Sequence, residues 1–162
     1  MKILLITSVF LFFHCCLSIH SFASCAEIWI DKVNISALED CRIKAESGDK
    51  DAQFEYGLWL IRLPEEYQNI PEAIKWIKKS AINKHHVAQV AMGKFLSGEM
   101  ESDQFPINLL ESYAWYLTAN EFKASDRIKA KMKPEEVKKA DNLAEQYIIK
   151  YQAFKLERVE SK

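Results

Sequence analysis

Apolar residues recur along most of this chain at spacings of three and four, the signature of helices that each bury one stripe. Ala52, Tyr56, Gly57 and Leu60 form such a stripe and predict a helix over residues 51–62. Pro71 opens a second helix at a first-turn position, where its missing N–H costs nothing. Ala73, Ile74, Trp76, Ile77, Ser80 and Ala81 carry the packing of that helix, with Lys75, Lys78 and Lys79 pointing outward. The pattern resumes over 87–97, with Ala88, Met92, Gly93 and Leu96 inward, and a further helix follows over 107–120. Upstream, Leu38, Cys41 and Ala45 share a stripe in a helical stretch over 27–46 that Gly48 ends. Downstream, a short helix is expected over 125–132. A long one starts at Pro134, with Val137, Ala140, Ala144, Tyr147, Ile148 and Tyr151 at helical spacing.

The stripes are related by a fixed shift. Ala45 and Ala81, Ala52 and Ala88, Gln53 and Gln89, and Gly57 and Gly93 all stand 36 residues apart. A period of this size marks a stack of helical hairpins. Glycine inside a helix costs stability relative to alanine, so Gly57 and Gly93 need a reason, and close approach of a neighbouring helix supplies it. Asn83 or Lys84 replaces the linking glycine between the repeats. Trp115 follows Trp76 by 39 residues, which places an insertion in the loop over 98–106. After Asn120 the period is expected to dissolve.

The A-x-x-G-x-x-x-A-Q-x-x-x-G core, followed by A-x-x-W, resembles the Sel1-like repeat family, relatives of the tetratricopeptide repeats. The run from Met132 to Glu145 resembles the closing segment of bacterial members, with Lys133 in place of their usual threonine N-cap. The resemblance spans residues 37–148 and implies an all-α fold. That fold is a short α/α superhelical solenoid of tetratricopeptide-like repeats with a C-terminal capping helix. The repeat domain runs over 25–157, with a partial leading repeat at 37–48, repeats at 49–83 and 84–120, and a capping segment at 121–157. The resemblance also implies a non-enzymatic scaffold that holds a protein partner and needs no cofactor or metal. Small exported members also serve as immunity proteins against a delivered toxin. In such stacks the first helix of each repeat lines the concave face. Phe54, Leu58 and Arg62 fall on that stripe in repeat one, and Val90 and Lys94 one repeat later. These five residues, apolar at the centre and basic at the margin, are the expected partner contacts; the alternative is that the leading segment or the long C-terminal helix folds across the groove and covers them.

Residues 1–24 are of a different kind. Lys2 precedes the apolar run I-L-L-I-T-S-V-F-L-F-F, and the small-residue stretch Ser21-Phe-Ala-Ser-Cys-Ala26 follows. This reads as a secretory signal, so a periplasmic or secreted protein starting between Ser24 and Glu27 is expected. A cut after Ala23 keeps Cys25 and Cys41, which can pair in an oxidising compartment. A cut after Ala26 leaves Cys41 alone; from its place on the helical stripe, 36 residues before Ile77, Cys41 is expected to pack as a small hydrophobe rather than react. A third reading takes Phe22-Ala-Ser-Cys25 as a lipobox with phenylalanine in the usual place of leucine. Membrane attachment is expected only in that reading, as a structural envelope lipoprotein.

Composition narrows the rest. A net charge of −1 over 162 residues leaves no basic face for nucleic acid. His85-His86 invites a metal reading, but adjacent histidines diverge and no ligand cluster stands at motif spacing. Ser47-Gly-Asp-Lys50 matches the S-x-x-K nucleophile motif of serine β-lactamases, the enzymatic alternative. No K-T-G or S-D-N accompanies it, and its place between two helices reads as a turn. Trp59 and Phe95 are 36 apart and are assigned a shared packing role.

Overall fold

The computed structural model describes residue 25, residues 35–100 and residues 104–153. Among them run seven helices: α1 (Ile35–Glu46), α2 (Lys50–Arg62), α3 (Ile70–Ile82), α4 (His86–Leu96), α5 (Leu109–Thr118), α6 (Phe122–Lys129) and α7 (Pro134–Tyr151). The expected signal segment and residues 27–34 of the first expected helix lie outside the described residues.

Each helix packs on the next from α1 to α6, and α7 lies along α5 and reaches α3. The even-numbered helices α2, α4 and α6 open repeats; α3, α5 and α7 close them. Three clusters of buried side chains follow one another along the stack. The first centres on Cys41, Trp59 and Trp76. The second is built on Ile77, Met92 and Trp115. The third, beneath α7, centres on Tyr113, Ile128 and Ala140.

Asparagine, aspartate and histidine start α2 to α5. Asp49 accepts the Ala52 N–H at 2.8 Å, Asn69 that of Glu72 at 3.1 Å and Asn108 that of Glu111 at 3.1 Å. Each satisfies an N–H that the helix itself leaves unpaired. His85 does the same through Nδ1, which accepts the Ala88 N–H at 3.1 Å. It stands one period after Asp49. The cap on α7 is the weaker one expected at Lys133: the Glu136 carboxylate accepts the Lys133 N–H at 2.9 Å, and no side chain of residue 133 caps the helix in return.

The repeat does not dissolve after Asn120. Gly48, Lys84 and Asn120 take left-handed φ values of 98°, 63° and 61°, each one period after the last. A backbone turn of fixed geometry therefore recurs three times, and α6 occupies the first-helix position of a third repeat. Ala52, Ala88 and Ala124 are its matching buried alanines. This helix begins at Phe122, three residues before the expected start. The 39-residue step from Trp76 to Trp115 is absorbed locally. The loop before α5 (97–108) is five residues longer than the one before α3 (63–69), while α4, at 11 residues against 13 for α2, is two shorter and α5, at 10 against 13 for α3, is three shorter. The period is restored at Asn120.

Gly57 and Gly93 lie at helix crossings. A Cβ on Gly57 would stand 2.6 Å from Ile77 Cγ1 and 3.0 Å from the Ala73 carbonyl oxygen. One on Gly93 would stand 2.7 Å from the Tyr116 ring. The two glutamines of the motif are joints. Gln53 Nε2 donates to Ala45 O and Gln89 Nε2 to Ala81 O, both at 3.1 Å. Each ties a first helix to the helix before it.

Cys41 is not a free packing residue. It is disulfide-bonded to Cys25, with the two Cα atoms 5.4 Å apart. Trp59 and Phe95 occupy equivalent positions against different partners. Trp59 Nε1 donates to Cys25 O at 2.9 Å, whereas Phe95 stacks on Phe105 of the following loop at 4.7 Å between centroids.

Candidate interaction surface

The repeat period fixes which side chains share a face of the first helices. Counting from the caps Asp49, His85 and Glu121, the second, sixth and ninth positions fall on one stripe of each helix. On α2 these are Asp51, Glu55 and Leu58; on α4, Val87, Ala91 and Lys94; on α6, Lys123 and Arg127, with the C-cap Ala130. Asp51, Lys94, Lys123, Arg127 and Ala130 are exposed, and Glu55, Leu58 and Ala91 are half-buried. Val87 is 54% exposed, a large fraction for a valine. The helices abut at this end, because Asp51 Oδ1 lies 3.2 Å from His85 Nε2. The face thus changes along the stack from acidic on α2, through apolar on α4, to basic on α6.

The five residues expected to touch a partner are distributed across this face and the core beneath it. Phe54 is only 9% exposed and packs in the second cluster, with its ring 4.9 Å from that of His85. The physical reason is the helix spacing. The stripe that carries Phe54 faces the junction of α2 with α3 and α4, so its first member is covered by the next repeat. Val90, one period on, is half-buried against the third cluster. Leu58 is half-buried, and Arg62 and Lys94 are exposed. Arg62 sets its guanidinium 5.9 Å from the Trp59 ring centroid. Sequence reasoning missed Val87, Lys123 and Arg127. Extending the 36-residue shift past Asn120 would have found the two on α6.

The side chains that the sequence offers for chemistry hold structural positions. The Ser47 hydroxyl donates to Lys44 O at 2.7 Å, and the Lys50 ammonium reaches Lys84 O at 3.5 Å. Each is turned to a backbone carbonyl, with Gly48 and its left-handed turn between them. The His85 ring caps α4 through Nδ1 and faces Asp51 through Nε2. Burial holds its pKa below the usual imidazole value; Asp51 opposes this, and Lys50 and His86 add to it. His86 instead lies 2.9 Å through Nε2 from Ala119 O. Among the described residues no group of three or more His, Cys, Asp or Glu comes together. An open hollow of about 420 Å³ is lined by Glu65, Gln68, Ile70, Pro71 and Gln104 at the loop end of the stack.

The second helices are occupied by contacts within the fold. Lys78, expected outward, crosses to α5 and pairs with Glu111 at 2.6 Å. Tyr147 of α7 donates to the same Glu111 oxygen at 3.1 Å. Burial, and then the adjacent carboxylate, push the Tyr147 phenol well above its usual range. Gln89 donates a second bond, at 2.6 Å, to Tyr151 O at the end of α7. The rings of Trp115, Tyr147 and Tyr151 close that corner. This leaves the stripe on α2, α4 and α6 as the candidate surface.

No family model matches the sequence, and no curated protein does. Among solved structures the fold matches a protective antigen present in uropathogenic Escherichia coli strains, a protein displaying an SLR (Sel1-like repeat) fold. The TM-score is 0.62 and the identity 22%, over 78% of this chain and 30% of that one. The described helices therefore form a Sel1-like repeat fold, and the chain spans under a third of the length of the antigen it matches.

Proposed function

We propose that the chain is a non-enzymatic helical-repeat scaffold that holds a protein partner in the periplasm or cell envelope. The observation that carries this reading is the graded face of α2, α4 and α6. A partner segment laid across the three helices meets acids at Asp51 and Glu55, an apolar middle at Val87 and Ala91, and bases at Lys94, Lys123 and Arg127. A surface of this kind favours a segment with an apolar centre and an acidic end toward α6. Opposite charge at the two ends selects one chain direction, since reversal brings like charges together. An exposed apolar centre with charged margins is also the usual anatomy of a binding patch. Neutralisation of a delivered toxin, as an immunity protein, is the finer form of this reading. Export is supported by the Cys25–Cys41 disulfide, a bond that persists in oxidising compartments.

The experiment is capture of partners from a periplasmic extract by wild-type chain and by two surface variants. Val87→Asp and the pair Lys123→Glu/Arg127→Glu should each abolish a capture that wild type shows, with the melting temperature nearly unchanged. Unaltered capture by both variants would remove this face from the reading. Hydrolysis of a chromogenic β-lactam by the purified chain should stay at background. Turnover abolished by Ser47→Ala would overturn the non-enzymatic reading.

A further inference from the structure

The segment before α1 admits two signal-peptidase cuts, because small residues stand one and three positions before each. Ser21 and Ala23 precede one, and Ser24 and Ala26 the other. A lipobox at Phe22-Ala-Ser-Cys25 is the third possibility. The sequence does not separate them, but the environment of Cys25 does.

Cys25 is built into the first repeat. Its residue is 9% exposed, and its sulfur is bonded to that of Cys41, which is 1% exposed on α1. Its carbonyl oxygen accepts the indole N–H of the buried Trp59 on α2. Two independent contacts, one through the side chain and one through the backbone, thus tie this residue to two different helices. A cut after Ala26 would remove both. It would leave the Cys41 thiol buried without a partner and the Trp59 N–H without its acceptor, the costly way to break a buried hydrogen bond. Lipidation would place a thioether on the Cys25 sulfur, and that sulfur is already committed to Cys41.

We propose that the chain is processed between Ala23 and Ser24, and that Cys25 is carried into the mature protein as one half of a structural disulfide. This rests on the export reading and selects its processing site. Water adds across the Ala23–Ser24 peptide bond, leaving a carboxylate on Ala23 and an ammonium group on Ser24. The Cys25 and Cys41 thiols then lose two electrons and two protons to a disulfide-bearing oxidoreductase of the compartment, whose own disulfide is reduced to a dithiol.

The test is intact mass and N-terminal sequencing of chain purified from the native envelope, before and after reduction. The expected product begins at Ser24, carries no acyl group, and gains the mass of two hydrogen atoms on reduction. A product beginning at Glu27, or a diacylglyceryl adduct on Cys25, overturns the proposal while leaving export intact. Full-length mass overturns both. An Ala23→Leu variant supplies a second measure, because a bulky residue blocks the cut before Ser24 and leaves the one before Glu27 open. Uncleaved precursor, or a product whose N-terminus differs from that of wild type, is expected; maturation of this variant to the wild-type N-terminus would overturn the assignment.

Discussion

Three glycines in this chain are constrained for two different physical reasons. At Gly57 and Gly93 the constraint is distance. Alanine gains about 1 kcal/mol of helix propensity there, against about 1–3 kcal/mol for forcing atoms into a packed crossing. At Gly57 one of the crowding atoms is a backbone carbonyl, which cannot turn aside. We expect Gly57→Ala to lower stability by up to about 2 kcal/mol net, read as a fall in the urea midpoint, and Gly93→Ala to do the same against the Tyr116 ring. A midpoint at or above wild type would mean that the helices separate there at no cost. At Gly48 the constraint is conformation. A Cβ would meet nothing within 4 Å, yet φ is 98°, so alanine is strained despite the space. His85 yields a prediction of a different kind. Its folded pKa is lowered, so the unfolded chain binds the proton more readily. Its contribution is therefore complete above the unfolded value of about 6.5 and is lost as the pH falls through that value toward the folded one. Protonation also takes the Nδ1 lone pair from the Ala88 N–H and places positive charge at the N-terminus of α4. Urea melts between about pH 7.5 and 5 should show this part of the acid sensitivity. His85→Asn, which keeps a cap acceptor and cannot titrate, should flatten the curve; an identical slope would exclude His85 as its source.

At the scale of elements, repeats are joined by a glutamine amide, and the two joints differ in what they hold. Gln53 donates to Ala45 O and accepts from Asn83 Nδ2 at 2.9 Å near the surface. Gln89 is fully buried and donates to two carbonyls, one of them at the end of α7. Removing its side chain leaves both carbonyls without that donor, inside a cavity. Gln89→Ala should therefore cost about 2–4 kcal/mol, and Gln53→Ala distinctly less. Hydrogen exchange should quicken in the last turn of α7 only for the former. Equal losses would mean that the second bond, to Tyr151, contributes nothing. The same elements show what was legible in the sequence. Helices α2 to α4 could be read because stripe, caps and period agree in them, and α5 and α7 because their apolar stripes stand out without the period, with Pro134 marking the start of α7. The start of α6 could not, because its cue is the left-handed Asn120, in a place where the glycine of the first turn had already been replaced by lysine. The buried Phe54 was misplaced because a stripe separate from the Gly57 face looks solvent-facing until the next repeat is stacked on it. Lys78 was read as solvated because its partner Glu111 lies 33 residues away on another helix.

Across the whole molecule, the three clusters form a row in which each repeat touches mainly its neighbours. In such a stack stability is a sum of local terms, and a lesion at one end need not reach the other. The disulfide is the sharpest lesion available, since it closes a separation of 16 residues, and constraining the unfolded chain over a loop of that size is worth about 3 kcal/mol. It also anchors Cys25 O as the acceptor for Trp59, so reduction loosens both the covalent tie and the cover over the first cluster. The far end is held differently, by Tyr113 donating to Asp141 at 2.6 Å, the Glu111 node and the Ala140–Ala144 face of α7. None of these contacts involves α1. Reduced chain, or Cys25→Ser/Cys41→Ser, should therefore show faster hydrogen exchange in α1 and α2 under native conditions. Protection in α5 and α7 should stay close to that of the oxidised protein. If exchange instead accelerates equally in every helix, the stack unfolds as one unit and the row of clusters does not behave as a chain of neighbours.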